Sequence, residues 1–143
     1  MAERWRVLVD VNIFLDVIQQ REDFYADSAG VLDAVAYKEI EGLLAAHSAT
    51  TLFYILSRAL GQTTAVYHLN HILSDFTIAA LDDATIRQAL AWGWRDFEDA
   101  VQMAAAMQAH VDYVVTRNPK DYETQPVPVL QPSGLLALLA QRK

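Results

Sequence analysis

Four aspartates stand where this chain could gather negative charge. Asp10 closes the β-branched run Val7-Leu8-Val9, Asp96 and Asp99 open the apolar stretch from Ala100, and Asp121 follows Val114-Val115-Thr116, with Asn118 between. Carboxylates and amides brought to one point form the donor set of a hard divalent cation. Mg²⁺ and Mn²⁺ prefer carboxylate oxygen, keep several waters, and can activate one of them for attack on a phosphodiester. Each acid also has a plainer use. Asp10 could cap the helix expected from Ile13, Asp96 and Asp99 could complement a helix dipole, and Arg117-Asn118-Pro119-Lys120-Asp121-Tyr122 reads equally as a solvated turn. The chain has no cysteine, so thiolate metal sites, disulfides and thiol catalysis are excluded. His47, His68, His71 and His110 are scattered and are poor rivals to the acids as ligands.

The spacing of the acids says more than their number. Asp96 and Asp99 are three apart, so they share one face of a helix N-terminus and point back toward the preceding turn. The helix they open runs through Ala100, Val101, Met103, Ala104, Ala105, Ala106 and Met107, almost wholly apolar and therefore buried. Its entry is thus held near the core. Asp82 and Asp83, ahead of Ala84-Thr85, are sufficiently explained as helix caps.

The elements that must position these residues alternate in type. Strands are expected at 6–10, 76–81, 111–116 and 127–130, with a weaker one at 43–48. Helices are expected at 13–20, 25–41, 50–60, 63–73, after Asp83, at 100–109 and from 133. Ala29, Leu32, Val35 and Ala36 mark the core face of the second helix, Gly42 is read as its stop, and Gly61 closes the third. Strands alternating with helices predict an α/β fold, a mainly parallel central sheet with helices on both faces. In such sheets ligands collect beyond the carboxyl ends of the strands, where Asp10, Asn118 and Asp121 fall. The acids converge only if those strands are neighbours.

At 143 residues and 53% hydrophobic, the chain can bury about two-thirds of its unfolded surface, and one domain over 1–143 is expected. No apolar run approaches the roughly 18 residues of a membrane span, and the N-terminus lacks a signal-peptide core, so a cytoplasmic location without a membrane partner is expected. Eighteen acids against 11 bases give a formal charge of −7, which argues against a general phosphate-binding surface. It leaves room for a nucleic-acid enzyme, because a bound cation inverts the local field.

The runs Val7-Leu8-Val9-Asp10-Val11-Asn12, Asp96-Phe97-Glu98-Asp99-Ala100 and Val114-Val115-Thr116-Arg117-Asn118-Pro119-Lys120-Asp121-Tyr122, in that order, resemble the PIN domain family. This is the small three-layer nuclease fold of many VapC-type toxin ribonucleases. The resemblance implies RNA cleavage with Mg²⁺ or Mn²⁺, Asp10 and Asp99 as metal ligands, and Asp96, Asn118 and Asp121 beside them. Asn12 and Thr116 would support that shell, while Arg117 and Lys120 would meet the substrate phosphate. An antitoxin partner and a homodimer are implied too, and the apolar segment 135–139 could cover either or simply close the core. One departure stands out: where many members carry a glutamate, Tyr54 occupies the helix after the second strand. A PIN-like module that holds RNA or protein without cleaving is the alternative. Haloacid-dehalogenase-type phosphatases share the opening strand but need an aspartate where Asn12 stands, and the pattern of receiver domains does not match.

Overall fold

The computed structural model describes residues 3–142. Strands β1 (Arg6–Val9), β2 (Glu41–Ala45), β3 (Phe76–Ala79), β4 (Tyr113–Val115) and β5 (Val129–Leu130) form one sheet in the order β3-β2-β1-β4-β5. Every pair in it is parallel. The helices are α1 (Val11–Ile18), α2 (Tyr25–Ala36), α3 (Ala46–Leu60), α4 (Gln62–Leu73), α5 (Asp83–Trp92), α6 (Phe97–Gln108) and α7 (Pro132–Arg142).

Successive strand residues face opposite sides, so one short strand feeds two cores. Val7 and Val9 pack with Leu44 and Val115 against α1, α2, α3, α4 and α7, through Phe14, Val31, Leu52, Ala65 and Leu135. Leu8 packs with Leu43 and Val114 against α5 and α6, through Ala89, Met103 and Ala106. Val7, Leu8 and Val9 are all fully buried, each worth roughly 1.5–3 kcal/mol over exposure. The three-layer α/β fold is as expected.

The strand order fixes where a site can form. The chain builds outward from β1 through β2 to β3, then returns to lay β4 on the other side of β1. The order therefore reverses between β1 and β4, and a crevice opens beyond their carboxyl ends. Register pairs Val9 with Val115, so the next residues, Asp10 and Thr116, stand side by side at its floor.

Several element boundaries differ from expectation by a few residues, and two of the differences matter for the site. The helix expected over 25–41 ends at Ala36, where Lys38 at φ 63° turns the chain and buried Ile40 leads into β2. Gly42 is consequently a strand residue and not a helix stop. A Cβ at Gly42 would lie 2.6 Å from Cε2 of Phe76 and 2.8 Å from Cγ2 of Val35, so close packing requires glycine there. Because β2 ends at Ala45, α3 starts earlier than the expected residue 50 and takes His47 and Ser48 onto the helix. The apolar segment 135–139 closes the core: Leu135 and Leu139 are buried, and Leu136 lies over Gly30.

Gly42→Ala is expected to lower stability by about 1–3 kcal/mol, the usual range for overpacking. Urea unfolding monitored by circular dichroism measures it; an unchanged midpoint would show that Phe76 and Val35 yield freely.

Candidate functional site

Asp10 occupies the N-cap position of α1 without capping it. Its side chain makes no cap hydrogen bond, and the first turn rests on backbone, with the Ile13 N–H donating to the Asp10 carbonyl at 3.0 Å. The carboxylate faces the crevice instead. Gln102 Nε2 donates to Oδ1 at 3.2 Å, Asn12 Nδ2 donates to Oδ2 at 3.4 Å, and Thr116 Oγ1 lies 3.5 Å from Oδ2. Gln102 is itself buried and held from behind, its Oε1 accepting from Ser48 Oγ at 3.2 Å and its Nε2 also donating to the Tyr122 hydroxyl at 2.6 Å. Burial, followed by the charges of Asp10 and Asp99, raises the Tyr122 phenol well above its ordinary range, so it stays a neutral hydroxyl.

Asp96 does cap its helix. The Asp99 N–H donates to Asp96 Oδ1 at 3.0 Å, satisfying a free amide of the first turn of α6. The Asp99 carboxylate thus remains free to line a cavity of about 30 Å³ with Asp10, His47, Ser48, Thr51, Glu98 and Gln102. Such a space suits a water-sized occupant. Burial first, then the charges of Asp96, Asp10, Asp121 and Glu98, push the Asp99 carboxyl up to about 7. Each of the neighbouring charges that shift Asp99 is negative. His47 is lowered by burial, against the opposing pull of Glu98 and Asp10, and its buried Nδ1 has no hydrogen-bond partner among the described residues.

These donors fit a hard divalent cation held by few protein groups. Among the described residues no three His, Asp or Glu side chains converge tightly enough to enclose an ion. Two carboxylates on one small cavity nevertheless match Mg²⁺, which commonly takes one or two carboxylates and keeps waters elsewhere. The surroundings of half-buried Asp99 agree with this, since a cation would offset both the burial and the neighbouring acids that raise its carboxyl.

A family model described as PIN domain matches residues 6–120. The chain belongs to the PIN domain family. Solved structures with the same fold include a toxin–antitoxin complex from Klebsiella pneumoniae, 19% identical over 88% of this chain and 97% of that one, with a TM-score of 0.67. VapBC2 from Rickettsia felis, bound to a promoter DNA fragment, is 17% identical over 87% and 96%, TM-score 0.67. VapC20 from Mycobacterium tuberculosis, a toxin that cleaves the sarcin-ricin loop, is 16% identical over 76% and 86%, TM-score 0.61. No curated protein sequence matches the chain.

Within this PIN domain the other expected residues fall into two groups. Asn12 and Thr116 touch Asp10, and Asp121 lies near enough to raise Asp99. Asn118 is exposed, its N–H directed to Thr116 Oγ1 at 3.4 Å, and Lys120 is exposed in the short 3₁₀ turn Pro119–Asp121. Tyr54 is not brought in. It is 62% exposed, with the Arg58 guanidinium 5.6 Å from its ring centroid, while the cavity takes His47, Ser48 and Thr51 from α3 and no carboxylate. Arg117 is not a free base either: Nε faces Asp16 Oδ2 at 3.5 Å and the guanidinium lies 4.2 Å from the Phe24 centroid.

Gln102, His47 and Asp16 carry structure at this site that the sequence reading passed over. Gln102 had a usable signal, since it lies three residues after Asp99 in an otherwise apolar helix. Asp16 had one too: a lone acid within the apolar stretch of α1 must find partners if buried.

The folded protein keeps the Asp99 proton up to about pH 7, whereas the unfolded chain releases it near 3.8. Between those values the folded state binds more protons, so this group makes stability fall as pH rises. Melting temperatures of wild type and Asp99→Asn should therefore diverge in favour of the variant from pH 4 to pH 8. Parallel curves would show that Asp99 is not held in this way.

Proposed function

We propose that this PIN domain is a divalent-metal-dependent endoribonuclease, the toxin member of a toxin–antitoxin pair. One observation carries the reading: the Asp10 carboxylate, unused for capping, shares a small cavity with an Asp99 carboxyl raised by burial and then by surrounding acids. The fold shared with VapC20, a sarcin-ricin loop cleaving toxin, supports RNA as the proposed substrate. Asp10 and Asp99 are the proposed ligands. Bound there, Mg²⁺ or Mn²⁺ supplies a Lewis acid that polarises the phosphodiester and makes water more acidic.

The chain's own residues prepare that chemistry. Gln102, Asn12 and Thr116 hold Asp10 in orientation, while Asp96 fixes the first turn of α6 and so the place of Asp99. Asp121, whose charge acts on Asp99, and exposed Asn118 in the same loop are proposed to offer polar contacts to solvent or ribose. Lys120, exposed in the same loop, is the base proposed to meet the substrate phosphate, Arg117 being tied to Asp16. An antitoxin and a second copy of the chain are the proposed protein partners, supported by neighbours that are toxin–antitoxin complexes. No described helix is long and apolar enough to cross a membrane, and a cytoplasmic site of action is proposed with the RNA substrate.

A second reading, a PIN-like module that holds RNA or protein without cleaving, draws on the lack of an α3 carboxylate at the cavity. One experiment separates the two. Purified protein should cut RNA with Mn²⁺ and stop in excess EDTA. Asp10→Asn, which keeps size but removes charge, should lose at least the roughly 100-fold that outer-shell changes can cost. Undiminished cleavage in either condition would refute the metal mechanism; a wild type that neither cuts RNA nor binds Mn²⁺ would leave the module.

A further inference from the structure

Behind Asp10 lies a second polar assembly that no ligand role explains. Asp16 on α1 is fully buried, and both its oxygens are engaged: Oδ1 meets Arg21 Nη1 at 3.4 Å, while Oδ2 accepts from Ser28 Oγ at 2.9 Å and faces Arg117 Nε at 3.5 Å. Arg21 does not end there. Its Nη1 also donates to Asn12 Oδ1 at 3.2 Å, and Nη2 donates to Gln19 Oε1 at 2.9 Å. The Arg21 N–H closes the turn after α1 by donating to the Asp16 carbonyl at 2.9 Å. A connected path therefore runs from buried Asp16 through Arg21 and Asn12 to Asp10.

The path has one chemical direction. A guanidinium only donates, so the Asn12 atom facing Arg21 must be its oxygen, which leaves the NH₂ aimed at Asp10 Oδ2. Were Arg21 absent, the Asn12 amide could turn over and present its oxygen to the carboxylate, which repels it. We propose that Arg21, anchored by Asp16, is a positioning residue that fixes the Asn12 amide and through it the metal-facing carboxylate of Asp10. This rests on the reading of Asp10 as a cation ligand.

Charge and orientation make opposite demands, which gives the test its sign. Arg21 is a cation near a cation site, so a purely electrostatic role predicts that removing it tightens Mn²⁺ binding. A positioning role predicts weakening. Asp16→Asn would strand two arginines around a buried site and risk unfolding, so the test is placed on Arg21. Mn²⁺ affinity would be measured by calorimetry and by electron paramagnetic resonance of the free ion, with circular dichroism and melting as fold controls. Folded Arg21→Gln is expected to bind Mn²⁺ about 10-fold more weakly, as outer-shell substitutions do. In an Asn12→Ala background the same substitution should bring no further weakening, because the path is already cut.

Equal or tighter binding by Arg21→Gln overturns the proposal, as does an undiminished effect in the Asn12→Ala background. Loss of fold in Arg21→Gln would also overturn it, by making Arg21 a structural residue. Wild type that fails to bind Mn²⁺ overturns the metal reading beneath it, a failure seen without any variant and so distinguishable from the others.

Discussion

Like charge confined at the carboxyl ends of β1 and β4 is the constraint around which this end of the molecule is arranged. A carboxylate in partly buried space can keep its charge only with a counter-charge, and Asp99 has four acids acting on it. The N-terminus of α6 offers some relief, since its free amides carry about half a positive charge. One of those amides is already taken by Asp96. The remaining imbalance expresses itself as a proton held on Asp99 up to near neutrality. On the proposed reading, a cation bound there would take the place of that proton, because both occupants answer the same field.

Orientation at Asp10 follows a rule seen twice. A carboxamide can present either oxygen or NH₂, and only a partner of fixed polarity behind it decides which. Ser48 donates to the oxygen of Gln102, and Arg21 donates to the oxygen of Asn12, so both amides turn their NH₂ groups to Asp10. One fixing group comes from α3 and the other from the turn after α1. The packing of both helices on β1 is thus converted into the aim of a single side chain, which is why the early start of α3 has consequences beyond its length.

The sequence made legible what depends on local pattern. The buried runs at β1 and β4, the acids at their ends, the apolar α6 and the capping box of Asp82 with Thr85 all arise from neighbours in the chain. The boundary between α2 and β2 was misread because Tyr37-Lys38-Glu39-Ile40 contains no proline or glycine to break a helix, and a glycine required by Phe76 looks like a helix stop. That shift carried the start of α3 with it, and Tyr54, read as standing at the position where many members carry a glutamate, has its ring outside the cavity, beside Arg58. Gln102 and Asp16 stand out locally as lone polar residues in apolar stretches, but what they bind was not legible, for another reason. Their partners are Ser48, Tyr122, Ser28 and Arg117, joined only by the fold, and nothing local says that a lone amide or acid in an apolar helix is satisfied and not turned to water.

The distribution of arginines bears on how an acidic chain could receive a polyanion. Arg117 and Arg21 stand close to the crevice, yet both are bound to Asp16, so much of their charge is answered within the protein. What faces the cavity is Asp10, Asp99 and Glu98, on a molecule of net charge −7. An RNA phosphate and this wall repel each other until a cation stands between them. On the proposed reading, ion and RNA must therefore favour each other's binding, and by linkage the coupling is equal in both directions. The acids that make the empty crevice hostile to nucleic acid are the same groups that, with an ion bound, make it attractive. Negative net charge is then no argument against a nucleic-acid enzyme, and substrate binding becomes conditional on the ion that the chemistry needs.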